Sequence, residues 1–128
     1  MEEFVEAYKA LSDKTRIRII RLLLQAKSDL CVCEFVDCLE ESQYNISRHL
    51  KVLKHAGLVS ERKEGRWVYY GLGRDKDKFI KQLLKSVQFV TEPALKKDEK
   101  ELRHRLHLRV KGKCLIGIQK KHLLPSQK

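Results

Sequence analysis

Ser42-Gln-Tyr-Asn-Ile-Ser-Arg-His-Leu-Lys-Val-Leu-Lys-His-Ala-Gly57 carries two unlike faces. Ile46, Leu50 and Leu53 recur at i, i+4 and i+7, the spacing of a helix with one apolar stripe. Gln43, Tyr44, Ser47, Arg48, Lys51 and Lys54 form another face with almost no acid on it. Their amide, hydroxyl and cationic groups match what base edges and phosphates offer. Ser42 suits the cap of such a helix and Gly57 its end. Taken alone, an amphipathic helix of this kind is most often an ordinary surface helix. The residues that follow change its reading.

Leu58-Val-Ser-Glu-Arg-Lys-Glu-Gly-Arg-Trp-Val-Tyr-Tyr-Gly-Leu72 comes directly after it. The valines and aromatic residues suit strands, and Glu64-Gly65 is a turn signal between them. Arg62, Lys63 and Arg66 cluster at the tip. A basic hairpin directly behind a basic amphipathic helix is the order of a winged helix-turn-helix. It predicts the helix in the major groove of double-stranded DNA and the hairpin tip on the backbone or minor groove.

Upstream, Phe4, Val5, Tyr8 and Leu11 form a helical stripe, and Ser12-Asp13 reads as a break and cap. A second helix follows over 13–25, and Ser28-Asp29 caps a third, expected from about Leu30 to Leu39. Glu40-Glu41 is a connection short enough for a helix-turn-helix. Downstream, 75–90 predicts a fifth helix, and Glu92-Pro93 starts a highly charged sixth running to about Leu108. From Val110 the tail is basic, with one apolar run, Cys114 to Ile118. The expected fold is mainly α, with five to six helices and a two-stranded wing. Residues 1–91 form the DNA-binding and dimerisation domain, and 92–128 a charged helix and basic tail.

The first and fifth helices carry more apolar surface than a small core needs. Phe4, Val5, Tyr8, Phe79, Ile80, Leu83, Leu84 and Val87 are therefore expected to line a homodimer seam. A twofold dimer presents two reading helices to successive major grooves and so matches a palindromic operator.

At 128 residues the chain suits one modest domain, and its formal charge of +11 favours a polyanionic partner, nucleic acid before membrane. No apolar run is long enough to span a bilayer, so no membrane partner is expected. The acidic start, Met-Glu-Glu-Phe, lacks the pattern of a signal peptide, which predicts a cytoplasmic protein with reduced thiols. Nucleotide-loop, catalytic-triad and zincin patterns are missing, so no enzyme is expected.

The thiols form the second signal. Cys31 and Cys33 fall in the first turn of the expected third helix, directly ahead of the reading helix. Thiolates suit soft ions, and a helix start favours thiolate over thiol. Positions i and i+2 of a helix point to different sides, so gripping one ion is expected to open that first turn. Two small core residues are the plainer reading. Cys38 is expected to be a packing residue. Cys114 either folds back or crosses to the other subunit as a third ligand, or stands by. His104 and His107 are read as part of a solvated helix face.

Over about Ala7 to Leu72 the chain resembles the ArsR/SmtB family of metal-sensing winged-helix repressors. The marks are Ala10-Leu-Ser-Asp-Lys-Thr-Arg-Ile-Arg-Ile19, Leu30-Cys-Val-Cys-Glu34, Ser42-Gln43, Ser47-Arg-His-Leu-Lys-Val-Leu53, Ala56-Gly-Leu-Val59 and Gly65-Arg-Trp-Val-Tyr-Tyr70. The resemblance implies a homodimer that represses an operon and leaves DNA when metal binds. Cys31-Val-Cys33 is similar to the arsenic and antimony sensors, so As(III) or Sb(III) is the implied effector, with no organic cofactor. Those sensors often carry a third Cys three residues after the second. Here that position is Val36, which raises Cys114 as the third ligand. Cadmium and lead sensors share the Cys-Val-Cys but add cysteines ahead of it, and no Cys precedes Cys31. Zinc sensors use Asp and His on the fifth helix, where this chain has Asp75 and Asp77 but no His. The alternatives are a sensor of cadmium, lead or zinc, and a repressor switched by thiol oxidation.

Overall fold

Asp13 starts the helical core. In the computed structural model, which describes residues 1–73 and 77–124, its carboxylate accepts the Arg16 N–H at 3.1 Å and opens α2 (Lys14–Ala26). It thereby satisfies one of the donors that a helix start leaves free. α1 (Glu2–Leu11) precedes it. α3 (Val32–Leu39) and α4 (Gln43–His55) form the helix-turn-helix, and Ser42 Oγ accepts the Asn45 N–H at 3.1 Å as the cap of α4. Gly57 then turns the chain out of α4 at a φ of +80°, a conformation that favours glycine.

The wing is a three-stranded antiparallel sheet in the order β1-β3-β2, one strand more than expected. β2 (Val59–Glu64) and β3 (Trp67–Leu72) pair with Glu64 opposite Trp67 at the turn. The extra strand is β1 (Leu30–Cys31), which pairs with Tyr70 and Tyr69 of β3. The third helix was expected to begin there. Edge pairing with β3 holds the two residues extended, and Glu34 caps the helix behind them by accepting the Cys31 N–H at 3.0 Å. Alternation then sends Leu30 into the main core and Cys31 into a smaller cluster with Cys33, Tyr69 and Cys114.

Ile19, Ile20, Leu22 and Leu23 of α2, Phe35 and Val36 of α3, and Ile46, Leu50 and Leu53 of α4 make the centre of the core. The predicted stripe of the reading helix is thus its buried face. His49, also on α4, is half-buried, with Nδ1 3.1 Å from Arg16 Nη1; it packs against the start of α2.

α5 (Lys78–Ser86) continues into a single 3-10 turn, Val87–Phe89. Asp77 caps it by accepting the Phe79 N–H at 2.8 Å, while Asp75 lies outside the described residues. The expected dimer seam needs correction here. Ile80, Leu84 and Val87 are buried in the chain's own core, with Phe79 and Leu83 packed against it. The amphipathic inner face of α5 covers the core, and Arg21 ties the following turn to α2 by donating to the carbonyls of Val87, Gln88 and Val90. Phe4, Val5 and Tyr8 remain exposed, and the rings of Phe4 and Tyr8 meet Phe79 edge-on at 4.9 and 5.4 Å.

α6 (Pro93–Leu106) lies across α2 and α3. Leu95 and Leu102 are buried, and Asp98 takes a two-point contact from Arg18 at 2.8 and 2.9 Å. Among the described residues, no helix is long and apolar enough to cross a membrane.

Candidate metal centre and nucleic-acid face

Cys31 sits one residue ahead of α3, in extended conformation (φ −85°, ψ 162°), and Cys33 lies in the first turn. The sulfurs are 2.8 Å apart, so the expected opening of that turn is not needed. The i, i+2 rule holds within a helix, and Cys31 is outside it. Cys114 comes back from the tail of the same chain and places its sulfur 3.4 Å from that of Cys33. All three sulfurs lie within 4.8 Å of one another and all three residues are buried. Two thiolates each about 2.3 Å from one ion can stand at most about 4.6 Å apart. The spacing therefore fits a single thiophilic ion with little movement, and an all-sulfur set selects soft ions. Among the described residues this is the sole convergence of three or more metal-ligating side chains.

Sequence reasoning missed what holds the tail in place. Arg105 of α6 pairs with Asp37 of α3 at 2.8 Å, both buried, and donates to the carbonyls of Ile116 and Gly117 at 3.2 Å each. Asp37 also accepts the backbone N–H of Gln119 and Lys120, each at 3.0 Å. Arg109 grips Glu34 at 2.7 Å through two nitrogens and donates to the Asp29 carbonyl at 2.7 Å. A signal was present. Glu34 and Asp37 stand three apart on α3, and Arg105 and Arg109 four apart, the first in the last turn of α6 and the second just beyond it. In a helix either spacing puts like charges on one face, ready for an oppositely charged partner.

The electrostatics favour one thiolate in the trio. The thiols of Cys31 and Cys33 and the Arg105 guanidinium, 3.7 Å away, hold the Cys114 thiol well below its ordinary value. Sharing protons with that sulfur pushes Cys33 up to about 12, and Cys31 is pushed up as well, with burial adding to both. Ion binding then displaces the remaining protons. Cys38 is buried in the main core, apart from the trio, and burial pushes its thiol up to about 12. His104 and His107 are exposed and outside the cluster.

On α4, Gln43, Tyr44, Arg48, Lys51 and Lys54 are exposed, with Ser47 half-buried between them. The Arg48 guanidinium lies 5.9 Å from the centre of the Tyr44 ring, and Lys54 approaches Glu61 at 3.5 Å. On the wing, Lys63 and Arg66 are exposed, with Arg66 over Trp67 at 5.1 Å. Arg62 is engaged within the protein: it contacts Asp29 at 3.3 Å, pairs with Glu64 and covers the Tyr69 ring at 4.7 Å. A cleft of about 270 Å³ separates Cys31 and Cys33 from Gln43 and Arg66.

Residues 13–61 match the profile of the bacterial regulatory proteins of the arsR family. The chain is 44% identical over 80 residues to an arsenic resistance transcriptional regulator of Pseudomonas putida, a match covering 62% of each. It is 42% identical over 86 residues to an uncharacterized HTH-type transcriptional regulator of Methanocaldococcus jannaschii, covering 67% of this chain and 92% of that one. To a cadmium resistance regulatory protein of Staphylococcus aureus, a CadC homologue, it is 40% identical over 82 residues, 64% of each. The chain thus spans less than two thirds of the length of the arsenic and cadmium regulators. Among solved structures, reduced HlyU of Vibrio cholerae superposes with a TM-score of 0.58 at 32% identity, covering 67% of this chain and 85% of that one.

Proposed function

We propose that this chain, which belongs to the ArsR family of bacterial regulatory proteins, holds a palindromic operator as a homodimer and releases it when As(III) or Sb(III) bonds to Cys31, Cys33 and Cys114. Family membership makes it a transcriptional regulator and not an enzyme. The observation that carries the effector is the convergence of three buried sulfurs with a cation beside them. A trivalent ion that bonds three thiolates gives a neutral unit, which suits a buried place. The similarity to an arsenic resistance regulator supports the same choice. Cadmium is the second reading, favoured by the similarity to a cadmium resistance regulator. Three sulfurs leave one position of a tetrahedral ion to another donor.

The test is a purified chain that sediments as a dimer and whose operator complex is titrated in parallel. Arsenite and antimonite are expected to dissociate it at concentrations where cadmium, zinc and hydrogen peroxide leave it intact. Release by cadmium at the lowest concentration would favour the second reading.

DNA readout is assigned to the exposed face of α4, with Lys63 and Arg66 of the wing on the backbone. Arg48→Ala is expected to weaken operator binding by about 1–3 kcal/mol, or about 5- to 150-fold, and unspecific binding far less. Lys63→Gln is expected to weaken both alike and to reduce the slope of log affinity against log salt by about 0.9. Equal loss of both binding modes in Arg48→Ala would make Arg48 a phosphate contact.

A further inference from the structure

Tyr69 joins the thiol centre to the wing. It lies on β3, directly opposite Cys31 of β1 on one side and Arg62 of β2 on the other. Its side chain is buried in the sulfur cluster, and its Oη accepts the Cys114 backbone N–H at 3.0 Å. The Arg62 guanidinium covers its ring at 4.7 Å. The residue before Cys114 continues the link, since Lys113 Nζ reaches Glu64 at 2.9 Å, and Glu64 also takes Arg62. Glu64 stands at the wing's turn, opposite Trp67.

A cleft of about 270 Å³ adjoins the Cys-x-Cys pair, lined also by Gln43 at the start of α4 and by Arg66 and Trp67 at the wing's turn. Displacement is carried through packed and hydrogen-bonded groups with alternative arrangements. Here such groups run from the sulfurs to the wing.

We propose that Tyr69 is the positioning residue through which occupancy of the thiol centre changes the wing. The proposal rests on the effector reading given above. The three sulfurs are unequally spaced, with contacts of 2.8 and 3.4 Å. An ion bonded to all three resets these spacings. The backbones of Cys31 and Cys33 are held by β1 and α3, so their side chains turn to widen the 2.8 Å contact, and the tail that carries Cys114 shifts to follow them. The Cys114 N–H moves against Tyr69 Oη, and Lys113 moves against Glu64. The grip of Glu64 on Arg62 then changes at the wing's turn, beside the cations assigned to the DNA backbone. An effector shifts a conformational balance only through contacts that differ between the two states. These two contacts are the ones that differ.

The experiment measures operator affinity by fluorescence anisotropy with and without arsenite, and counts As–S bonds by X-ray absorption. Tyr69→Phe keeps the ring and removes the acceptor. It is expected to bind operator within about twofold of wild type and to keep three As–S bonds. The arsenite-induced loss of affinity, typically about 5- to 150-fold for a coupled site, is expected to fall to within about threefold of unity. Lys113→Gln, on an exposed side chain, is expected to reduce the same ratio in part, and it carries the test if Tyr69→Phe does not fold. A wild-type ratio in both variants overturns the proposal. So does a ratio that falls only together with the As–S count or the operator affinity, because Tyr69 then serves the site or the fold and not the link between them. A wild-type complex that arsenite does not release overturns the effector reading itself, and with it this one.

Discussion

Cys33→Ser protein is expected to bind operator DNA within about twofold of wild type and to stay bound when arsenite is added. Cys33 is the sulfur nearest both others, at 2.8 Å from Cys31 and 3.4 Å from Cys114, so its loss divides the set. Operator affinity is expected to survive because the side chain lies outside the DNA face. The loss of response is expected to be complete for a quantitative reason. Inverting a 99:1 balance takes a difference of about 5.5 kcal/mol in ion affinity between the two states, while a single coupled site supplies about 1–3. Two intact centres in a dimer approach that requirement jointly, whereas two weakened ones fall far short of it. Cys31→Ser is expected to behave alike, and Cys38→Ala to respond normally from its separate place in the main core. Cys114→Ser is expected to lower the As–S count from three to two. Anisotropy titrations and X-ray absorption read these outcomes. A Cys31/Cys33 double serine variant that arsenite still strips from DNA would end the proposal.

The second large effect is on stability. Arg105→Leu is expected to destabilise the fold by about 3–5 kcal/mol, because it leaves the Asp37 carboxylate buried without its cation. The side chains of Arg105 and Asp37 are only 3% and 4% exposed, so water cannot take over. The two backbone N–H groups that Asp37 retains, from Gln119 and Lys120, supply dipoles in place of a charge. Against a total of about 5–15 kcal/mol for an ordinary domain, the loss is severe. The Asp37→Leu/Arg105→Leu double variant is expected to recover part of it, since no charge is then stranded. Urea denaturation of the three variants measures the coupling. Additive single and double effects would mean that the pair acts as two independent packing residues.

The winged helix-turn-helix was legible because it rests on local signals. Ser42 and Asp13 cap their helices as their chemistry demands, and Ile46, Leu50 and Leu53 alternate at the helical period with the cations of α4. Glu64-Gly65 between two β-prone runs could only be a hairpin turn. Each of these depends on neighbours within a few residues, which a linear reading contains. Cys31 and Cys33 were legible as a pair, but their geometry was not. Pairing of Leu30 and Cys31 with β3, some forty residues later in the chain, holds Cys31 outside the helix and lets its sulfur meet that of Cys33. Local propensity does not register such a partner. The apolar face of α5 was visible too, yet periodicity alone does not say whether Ile80, Leu84 and Val87 cover their own core or a second copy; packing placed them in their own. Whether Cys114 belonged to the site was open in the sequence for the same reason. Its position depends on Arg105 with Asp37, Arg109 with Glu34, and Tyr69 with the Cys114 N–H, contacts between segments distant in the chain. Charge and hydrogen-bonding capacity are properties of single residues, but the partner that satisfies them is chosen only when the chain closes on itself.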